Sequence, residues 1–152
     1  MADEYFQVAA DKFIFNVKKG ILYTENDTWV QVEDEQIRVG ATDFLQRRGG
    51  DIIFVELPEP GDEVGKHDDV VRLETIKAVL TIASPMGGVV TDVNRRLNDE
   101  PELINSDPFG EGWLILLKPS DKTDMGSLLT AERYFESMKK KIDEELKKIK
   151  GL

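Results

Sequence analysis

Alternating apolar and polar positions divide most of the chain into short predicted strands. The segment "ILYTENDTWVQVEDEQIRVG" holds two of them, Trp29 to Val32 and Ile37 to Val39, with acidic "EDEQ" as the turn between them. Further strands flank the turn signal in "DIIFVELPEPGDEVGKHDDVVRLE", and "GGVVTDVNRRL" and "WLILLK" add two more. The segment "PELINSDPFGEG" is predicted as a loop with one helical turn. Turns at this spacing are typical of an all-β sandwich or barrel.

Two segments predict helices instead. In "ATDFLQRRGG", Thr42 is a suitable N-cap, Asp43 suits the first turn, and Gly49 or Gly50 ends the helix. A second helix begins near Thr130, with one apolar stripe at Phe135, Met138, Ile142, Leu146 and Ile149. This C-terminal helix either packs on the β body or docks a partner protein.

The segment "VVRLETIKAVLTIA" places a lysine, Lys77, inside an apolar run. Its length suits a buried helix, but its Val, Ile and Thr content and the following "SPMGG" favour two strands. A bend from Thr75 to Ala78 then puts Lys77 at a hairpin tip between two similar strand–turn–strand halves. Such a lysine is either an ordinary solvated residue or a residue that a modifying ligase grips, with Glu74 three positions before it.

Composition limits the classes of function. The chain has 152 residues, a formal net charge of −10 and no cysteine, which excludes disulfides, cysteine metal sites and cysteine nucleophiles. Any thiol chemistry must therefore come from an added group. The acidic balance argues against nucleic-acid binding. No apolar run approaches the roughly 20 residues that span a bilayer, and the acidic N-terminus does not resemble a signal peptide, so we expect a cytoplasmic protein.

The chain divides into three predicted parts. Residues 1–20 show no clear period and form an N-terminal extension, residues 21–129 form the β-rich body, and residues 130–152 form the C-terminal amphipathic helix packed on it. From Thr130 onward seven bases stand against five acids, so a slightly basic tail follows an acidic body.

The remaining candidate sites point to ordinary structural roles. His67 is the sole histidine and sits in "GKHDD", where we expect a solvated turn residue, and the acids Glu63, Asp68 and Asp69 are typical of a wet turn. "GEGW" lacks the Lys-Ser/Thr of a phosphate loop, and Trp113 is predicted to be core. A single histidine rules out a His-rich metal site, so we expect no metal, and because no nucleophile–base pair is visible we do not expect an enzyme.

Five motifs in order resemble the glycine cleavage system H protein family: "GATDFLQRRGGDIIFVELPEPGDEV", "LETIKA", "SPMGGVV", "VN" and "INSDPFGEGWLI". The resemblance covers roughly Leu22 to Asp121. It implies a barrel–sandwich hybrid of the lipoyl and biotinyl type, with residues 21–129 as the carrier domain. It also implies that the lysine of E-x-x-K-A, which is Lys77, carries lipoic acid in amide linkage. Biotin carriers normally have Met on both sides of the lysine, so "IKA" favours lipoate.

The resemblance also implies the partners of such a carrier. A lipoate ligase or lipoyl transferase attaches the group, with Glu74 as a recognition residue, and dihydrolipoamide dehydrogenase belongs to the same system. The carrier is expected to be a monomer that binds neither nucleic acid nor membrane, delivering a sulfur-bound group or two electrons between enzymes.

Three positions depart from the glycine-cleaving pattern. "YTENDTW" has Asp27 where the family has His and Thr28 where it has Glu, and Thr81 stands four residues after the lysine where an acid is usual. Those two carboxylates hold the amine of the aminomethyl-loaded arm in a cleft, and a carboxylate pairs with an amine far better than a hydroxyl does.

Either the two threonines reflect sequence drift without a change of function, or the cargo is not an aminomethyl group. We favour the second interpretation: a lipoate-binding protein of sulfur oxidation that works with a heterodisulfide-reductase-like complex. The alternatives are an H protein that carries the aminomethyl group from glycine decarboxylase to the tetrahydrofolate-dependent aminomethyltransferase, and an interaction scaffold that is never lipoylated.

Overall fold

A computed structural model describes residues 4–10 and 12–149. Its strands are β1 Tyr5–Ala10, β2 Phe13–Lys18, β3 Leu22–Tyr23, β4 Thr28–Glu33, β5 Gln36–Ala41, β6 Ile52–Glu56, β7 Glu63–Val64, β8 Asp69–Thr75, β9 Val79–Ala83, β10 Gly88–Val93, β11 Ile115–Pro119 and β12 Leu129–Thr130. Its α-helices are α1 Asp43–Gly49, α2 Leu103–Ser106 and α3 Ala131–Ile149. Short 3-10 turns follow β10 and β11.

The strands form three antiparallel sheets. The largest has seven strands in the order β12-β3-β4-β5-β11-β10-β7, and a three-stranded sheet has the order β6-β8-β9. β1 and β2 pair only with each other. The predicted mainly-β hybrid of barrel and sandwich, with a short internal helix and a C-terminal helix, is confirmed.

Two buried clusters hold these layers together. The larger lies between the seven-stranded and three-stranded sheets and includes Val30, Val39, Leu73 and Ile82. The second lies beneath α3 and is mostly aromatic, with Phe15, Tyr23, Trp29, Phe44, Tyr134 and Met138 among its members. Strand β4 serves both, because alternate residues of a strand point to opposite faces, so Trp29 enters the second cluster and Val30 the first.

The local sequence signals for α1 work as predicted. Thr42 caps the helix, its Oγ1 accepting a hydrogen bond from Leu45 N at 3.2 Å. Gly50 ends it with φ +86° and ψ −167°, a conformation that is essentially limited to glycine. The C-terminal helix also begins as predicted, since Thr130 Oγ1 accepts from Arg133 N at 3.2 Å.

Three sequence predictions need correction. Residues 5–18 do have a period, because they form a β-hairpin. Every second residue, Phe6 and Val8 in β1 and Phe15 and Val17 in β2, packs into the second cluster. The buried stripe of α3 is centred on Ala131, Tyr134, Met138 and Ile142, while Phe135 and Leu146 are only half-buried; the side chain of Ile149 lies outside the described residues. Trp113 is half-buried rather than core, with the Arg38 guanidinium 4.4 Å above its ring.

Within residues 4–10 and 12–149, no helix combines the length and the apolar composition that crossing a membrane requires.

Candidate functional site

The β8–β9 hairpin presents Lys77 to solvent on a closely bonded turn. Thr75 N donates to Ala78 O at 2.9 Å, and the Thr75 side-chain oxygen accepts from Ala78 N at 3.0 Å and from Lys77 N at 3.3 Å. Thr75 is buried, whereas Lys77 and its neighbour Ile76, 87% exposed, are not. The turn is thus held from beneath by one threonine, and the lysine is exposed at a fixed position.

The Lys77 side chain lies over the end of α1. A Cβ placed on Gly50 would stand 3.2 Å from Lys77 Cε and 3.8 Å from its Nζ, so the lysine uses space that a side chain at Gly50 would fill. Gly49 is equally constrained, because a Cβ there would lie 2.6 Å from Leu80 Cδ1. The two glycines therefore allow the hairpin to approach the helix end.

Asn105 of α2 holds this helix end from behind. Its Nδ2 donates to Gly50 O and Gln46 Oε1, both at 3.0 Å, and its Oδ1 accepts from Ile52 N at 2.9 Å. One side chain thus joins α2, α1 and β6. No local sequence signal marks Asn105 for this role, although it belongs to the motif "INSDPFGEGWLI".

An acyl group in amide linkage fits Lys77. The Nζ end is exposed, and Gly50 leaves room along the stem of the side chain. Acylation would remove the charge, so an attached arm can lie on apolar surface without the cost of desolvating an ammonium.

Glu74 and Thr81 lie in neighbouring rows on the outer face of the three-stranded sheet. One row across β6, β8 and β9 consists of Phe54, Glu74 and Val79. The next row, two residues along each strand, consists of Glu56, Arg72 and Thr81. Glu74 Oε1 is 2.6 Å from Arg72 Nη2. This hydrogen bond, with the charge of Glu74, raises the pKa of Arg72.

The carboxylate of Glu74, the predicted ligase-recognition residue, is therefore paired with Arg72 and only partly exposed. Thr81 is exposed, and its register partner on β8 is the same residue, Arg72. A cation at that place does not favour binding of an amine beside Thr81.

Thr28 and Thr81 do not line a common cleft. Thr28 is fully buried in β4 opposite Ala41, and its Oγ1 has no hydrogen-bond partner among the residues that the structure describes. A different groove lies nearby, between the 24–26 loop and the 83–85 segment, and its lining includes Asn26, Lys66, His67 and Ser84. The predicted pair of arm-cleft threonines is thus split between a core position and the sheet surface.

Asp27 joins the body to α3. The Tyr134 hydroxyl donates to Asp27 Oδ1 at 2.8 Å and is also hydrogen-bonded with Thr42 Oγ1 at 3.1 Å. Lys141 Nζ reaches Asp27 at 3.3 and 3.4 Å. Burial, followed by the nearby charge of Asp27, raises the pKa of Tyr134 well above its ordinary value. Asp27, the departure from the family's His, therefore holds the C-terminal helix in place.

His67 is exposed with φ +73°, and its backbone N–H donates to Ser84 O at 2.9 Å, as expected for a turn residue. Within the described residues, no group of three or more His, Asp or Glu side chains is arranged to hold a metal ion.

Comparisons with known proteins agree on one family. The sequence model described as "Glycine cleavage H-protein" matches residues 21–141. The chain is 44% identical over 141 residues to a probable glycine cleavage system H protein of Aeropyrum pernix, covering 93% of this chain and 99% of that protein. It is 44% identical over 119 residues to the glycine cleavage system H protein of Geobacillus kaustophilus, covering 78% and 94%.

The fold is similar to a crystal structure of a glycine cleavage system H protein from Mycobacterium marinum. The TM-score is 0.69 at 33% identity, over 75% of this chain and 92% of that chain.

Proposed function

This chain belongs to the glycine cleavage H-protein family, and from that premise we propose that it carries lipoic acid on Lys77 as the aminomethyl carrier of the glycine cleavage system. The observation that carries the proposal is the exposed Lys77 on a turn bonded through Thr75, inside the segment that matches the family. Members of this family are carriers within a multienzyme system, not catalysts themselves.

The chain's own residues present the attachment point. Thr75 fixes the backbone on both sides of the lysine, and Gly50, held by Asn105, gives the lysine stem a surface to lie on. When bound, the lipoyl group supplies a disulfide that accepts a sulfur-bound group together with two electrons. Because the chain has no cysteine, nothing on the carrier competes for that exchange.

The proposed partners act on the arm in turn. A lipoate ligase or lipoyl transferase modifies Lys77, glycine decarboxylase and the tetrahydrofolate-dependent aminomethyltransferase deliver and remove the aminomethyl group, and dihydrolipoamide dehydrogenase restores the disulfide. The net charge of −10 suits rapid encounters with basic patches on these enzymes.

The sulfur-oxidation role is not proposed. Its sequence basis was the pair Thr28 and Thr81, and these two residues do not share a cleft, because Thr28 is buried in the core while Thr81 is exposed on the three-stranded sheet. The relatives and the solved structure reported above are all described as glycine cleavage H proteins.

The test is intact mass after expression with a lipoate ligase and lipoic acid. We expect a mass increase of one lipoyl group, lost in Lys77→Arg and retained in the control Lys66→Arg, which changes another exposed lysine. The lipoylated protein should then support glycine decarboxylation with the partner enzymes. No mass increase in the wild type would leave the unmodified scaffold as the better interpretation, and a gain that persists in Lys77→Arg would move the site elsewhere.

A further inference from the structure

An apolar pocket lies where the N-terminal hairpin, α1 and the end of α3 meet, and we name it the hairpin–helix pocket. Its walls are formed by Ala10, Phe13, Phe15, Phe44, Ile142 and Leu146. Arg48 and Glu145 form an ion pair of 2.5 Å at its edge, and the Arg48 guanidinium also lies 5.1 Å above the Phe44 ring. Phe13 is 45% exposed. A small apolar ligand bound here would cover a phenylalanine that is otherwise in contact with water.

The size of the pocket selects a small ring. Its volume is about 130 Å³. An apolar cavity of about 150 Å³ is known to bind benzene. A dithiolane has five ring atoms, so it is of similar size, and its sulfurs are soft and polarisable like the thioether that packs well against aromatic rings.

The pocket is assembled from both ends of the chain. Phe44, Arg47 and Arg48 lie inside the segment that matches the family model, residues 21–141, whereas the other lining residues fall in 10–15 and 142–146. The pocket therefore depends on the hairpin and on the last turns of α3, which flank the matched segment.

Lys77 is directed toward the same helix end. Its Cε and Nζ lie over Gly50, and Arg48 is two residues earlier, on the last turn of α1. Gly50 and Arg48 are two residues apart in the chain, so their Cα atoms are at most about 7 Å apart. The acyl chain and ring of a lipoyl group together can cover that span.

We propose that the hairpin–helix pocket receives the dithiolane end of the Lys77 arm when the arm carries no cargo. This rests on the proposed lipoylation of Lys77. The aromatic side chains Phe13, Phe15 and Phe44 cover the ring, and the Arg48–Glu145 pair borders it. The unloaded arm is thereby protected from chance thiols and reductants between encounters with partner enzymes.

The test measures how fast a phosphine opens the dithiolane, with the new thiols trapped by iodoacetamide and counted by intact mass. Since the chain has no cysteine, thiol alkylation reports on the arm alone. We expect the arm to react about tenfold more slowly than free lipoamide, which corresponds to a bound state favoured by about 1.4 kcal/mol.

Ala10→Leu fills the pocket and should restore the rate of free lipoamide. Ala9→Leu is the matched control, because Ala9 is exposed on the same strand and does not line the pocket, and it should keep the slow rate. Thermal unfolding checks that both variants remain folded. Independently of any variant, lipoylation of the wild type should shift the amide NMR signals of Phe15 and Arg48.

Each other outcome is informative. If Lys77 is not lipoylated, the proposed function fails before this test begins. If Lys77 is lipoylated but its arm reacts as fast as free lipoamide and leaves the Phe15 and Arg48 signals unchanged, only the pocket proposal is overturned. If Ala10→Leu slows turnover with partner enzymes without changing protection of the free carrier, the pocket receives a partner's side chain and not the arm.

Discussion

Tyr134 of the C-terminal helix donates a hydrogen bond to the carboxylate of Asp27, 107 residues earlier in the chain, at 2.8 Å. The ring of Tyr134 also stacks on Tyr23, with centroids 4.5 Å apart. We expect Tyr134→Phe to keep the stack and lose the bond. A hydrogen bond to a charged group contributes about 1.5–3 kcal/mol, so the free energy of unfolding should fall by that amount in urea titration.

Tyr23→Phe is the matched control for Tyr134→Phe. It removes a bond to a neutral acceptor, Lys18 O, at 2.6 Å. That loss should cost about 1 kcal/mol. Equal losses in the two variants would contradict a special contribution from Asp27.

The same two tyrosines predict a loss of stability at high pH. Burial raises the pKa of both Tyr23 and Tyr134 above the ordinary value of 10.0. Above about pH 10 the unfolded chain releases these protons while the folded chain keeps them, so stability is fully present below pH 10 and falls as pH rises toward the folded pKa values.

The expected slope is about 1.4 kcal/mol per pH unit for each tyrosine. Urea titrations from pH 9 to pH 11 measure it, and comparison with the double variant Tyr23→Phe/Tyr134→Phe removes the contribution of lysines. A double variant as steep as the wild type would show that the two phenols are not the cause.

Local signals in the sequence identified most of the elements around the site but not the contacts between them. Thr42 and Gly50 mark the ends of α1 because capping depends on residues within one turn. The bend at Thr75 to Ala78 followed from β-branched flanks in the same way. By contrast, Asp27 meets Tyr134 and Lys141 only because the turn between β3 and β4 lies against α3, and no local pattern pairs residues over 100 positions apart.

The sequence of the N-terminal hairpin does contain a usable strand signal. Phe13, Phe15 and Val17 alternate with polar or exposed positions, the period of a strand. The burial of Thr28 had no such signal. Because the family has a charged Glu at this position, the residue was expected to face the arm.

Gly50→Ala should disturb both the helix end and the lysine. Alanine at φ +86° and ψ −167° costs about 1–3 kcal/mol, and its Cβ would press on the Lys77 stem. We expect a lower melting temperature and slower lipoylation by the ligase, followed by intact mass over time. Gly61→Ala is the control: it has φ +99° but nothing within 4 Å of the added Cβ. It should lose stability without slowing lipoylation, and slowing in both variants would refute the role of Gly50 at Lys77.

Thr28→Val should stabilise the protein by about 1 kcal/mol, because it removes a buried hydroxyl that has no partner among the described residues while keeping the shape of the side chain. Thr42→Val is the control, since that equally buried threonine caps α1 and contacts Tyr134. It should cost about 1–2 kcal/mol. If the two variants are equally destabilised in chemical denaturation, the Thr28 hydroxyl is satisfied after all.

The last prediction concerns cargo and the position of Thr81. Placing an acid there, as in the glycine-cleaving pattern, does not simply provide a carboxylate for an amine, because Arg72 is directly opposite. We expect Thr81→Asp to pair with Arg72 and to leave stability nearly unchanged, because both groups are exposed to solvent. It should therefore alter the retention of an aminomethyl-loaded arm by less than twofold. Thr28→Glu is not a useful partner change, since it would bury an unpaired charge.

Arg72→Ala/Thr81→Asp frees the new carboxylate and should retain the loaded arm longer than either single variant, measured as the rate of aminomethyl loss from the isolated carrier. Arg72→Ala alone is the control for removal of the cation. The wild-type lipoylated protein should support glycine decarboxylation when it is assayed beside a sulfur-oxidising system with a heterodisulfide-reductase-like complex. Sulfur-dependent activity without glycine turnover would show that the carrier serves another cargo, and that Arg72 opposite Thr81 excludes the amine.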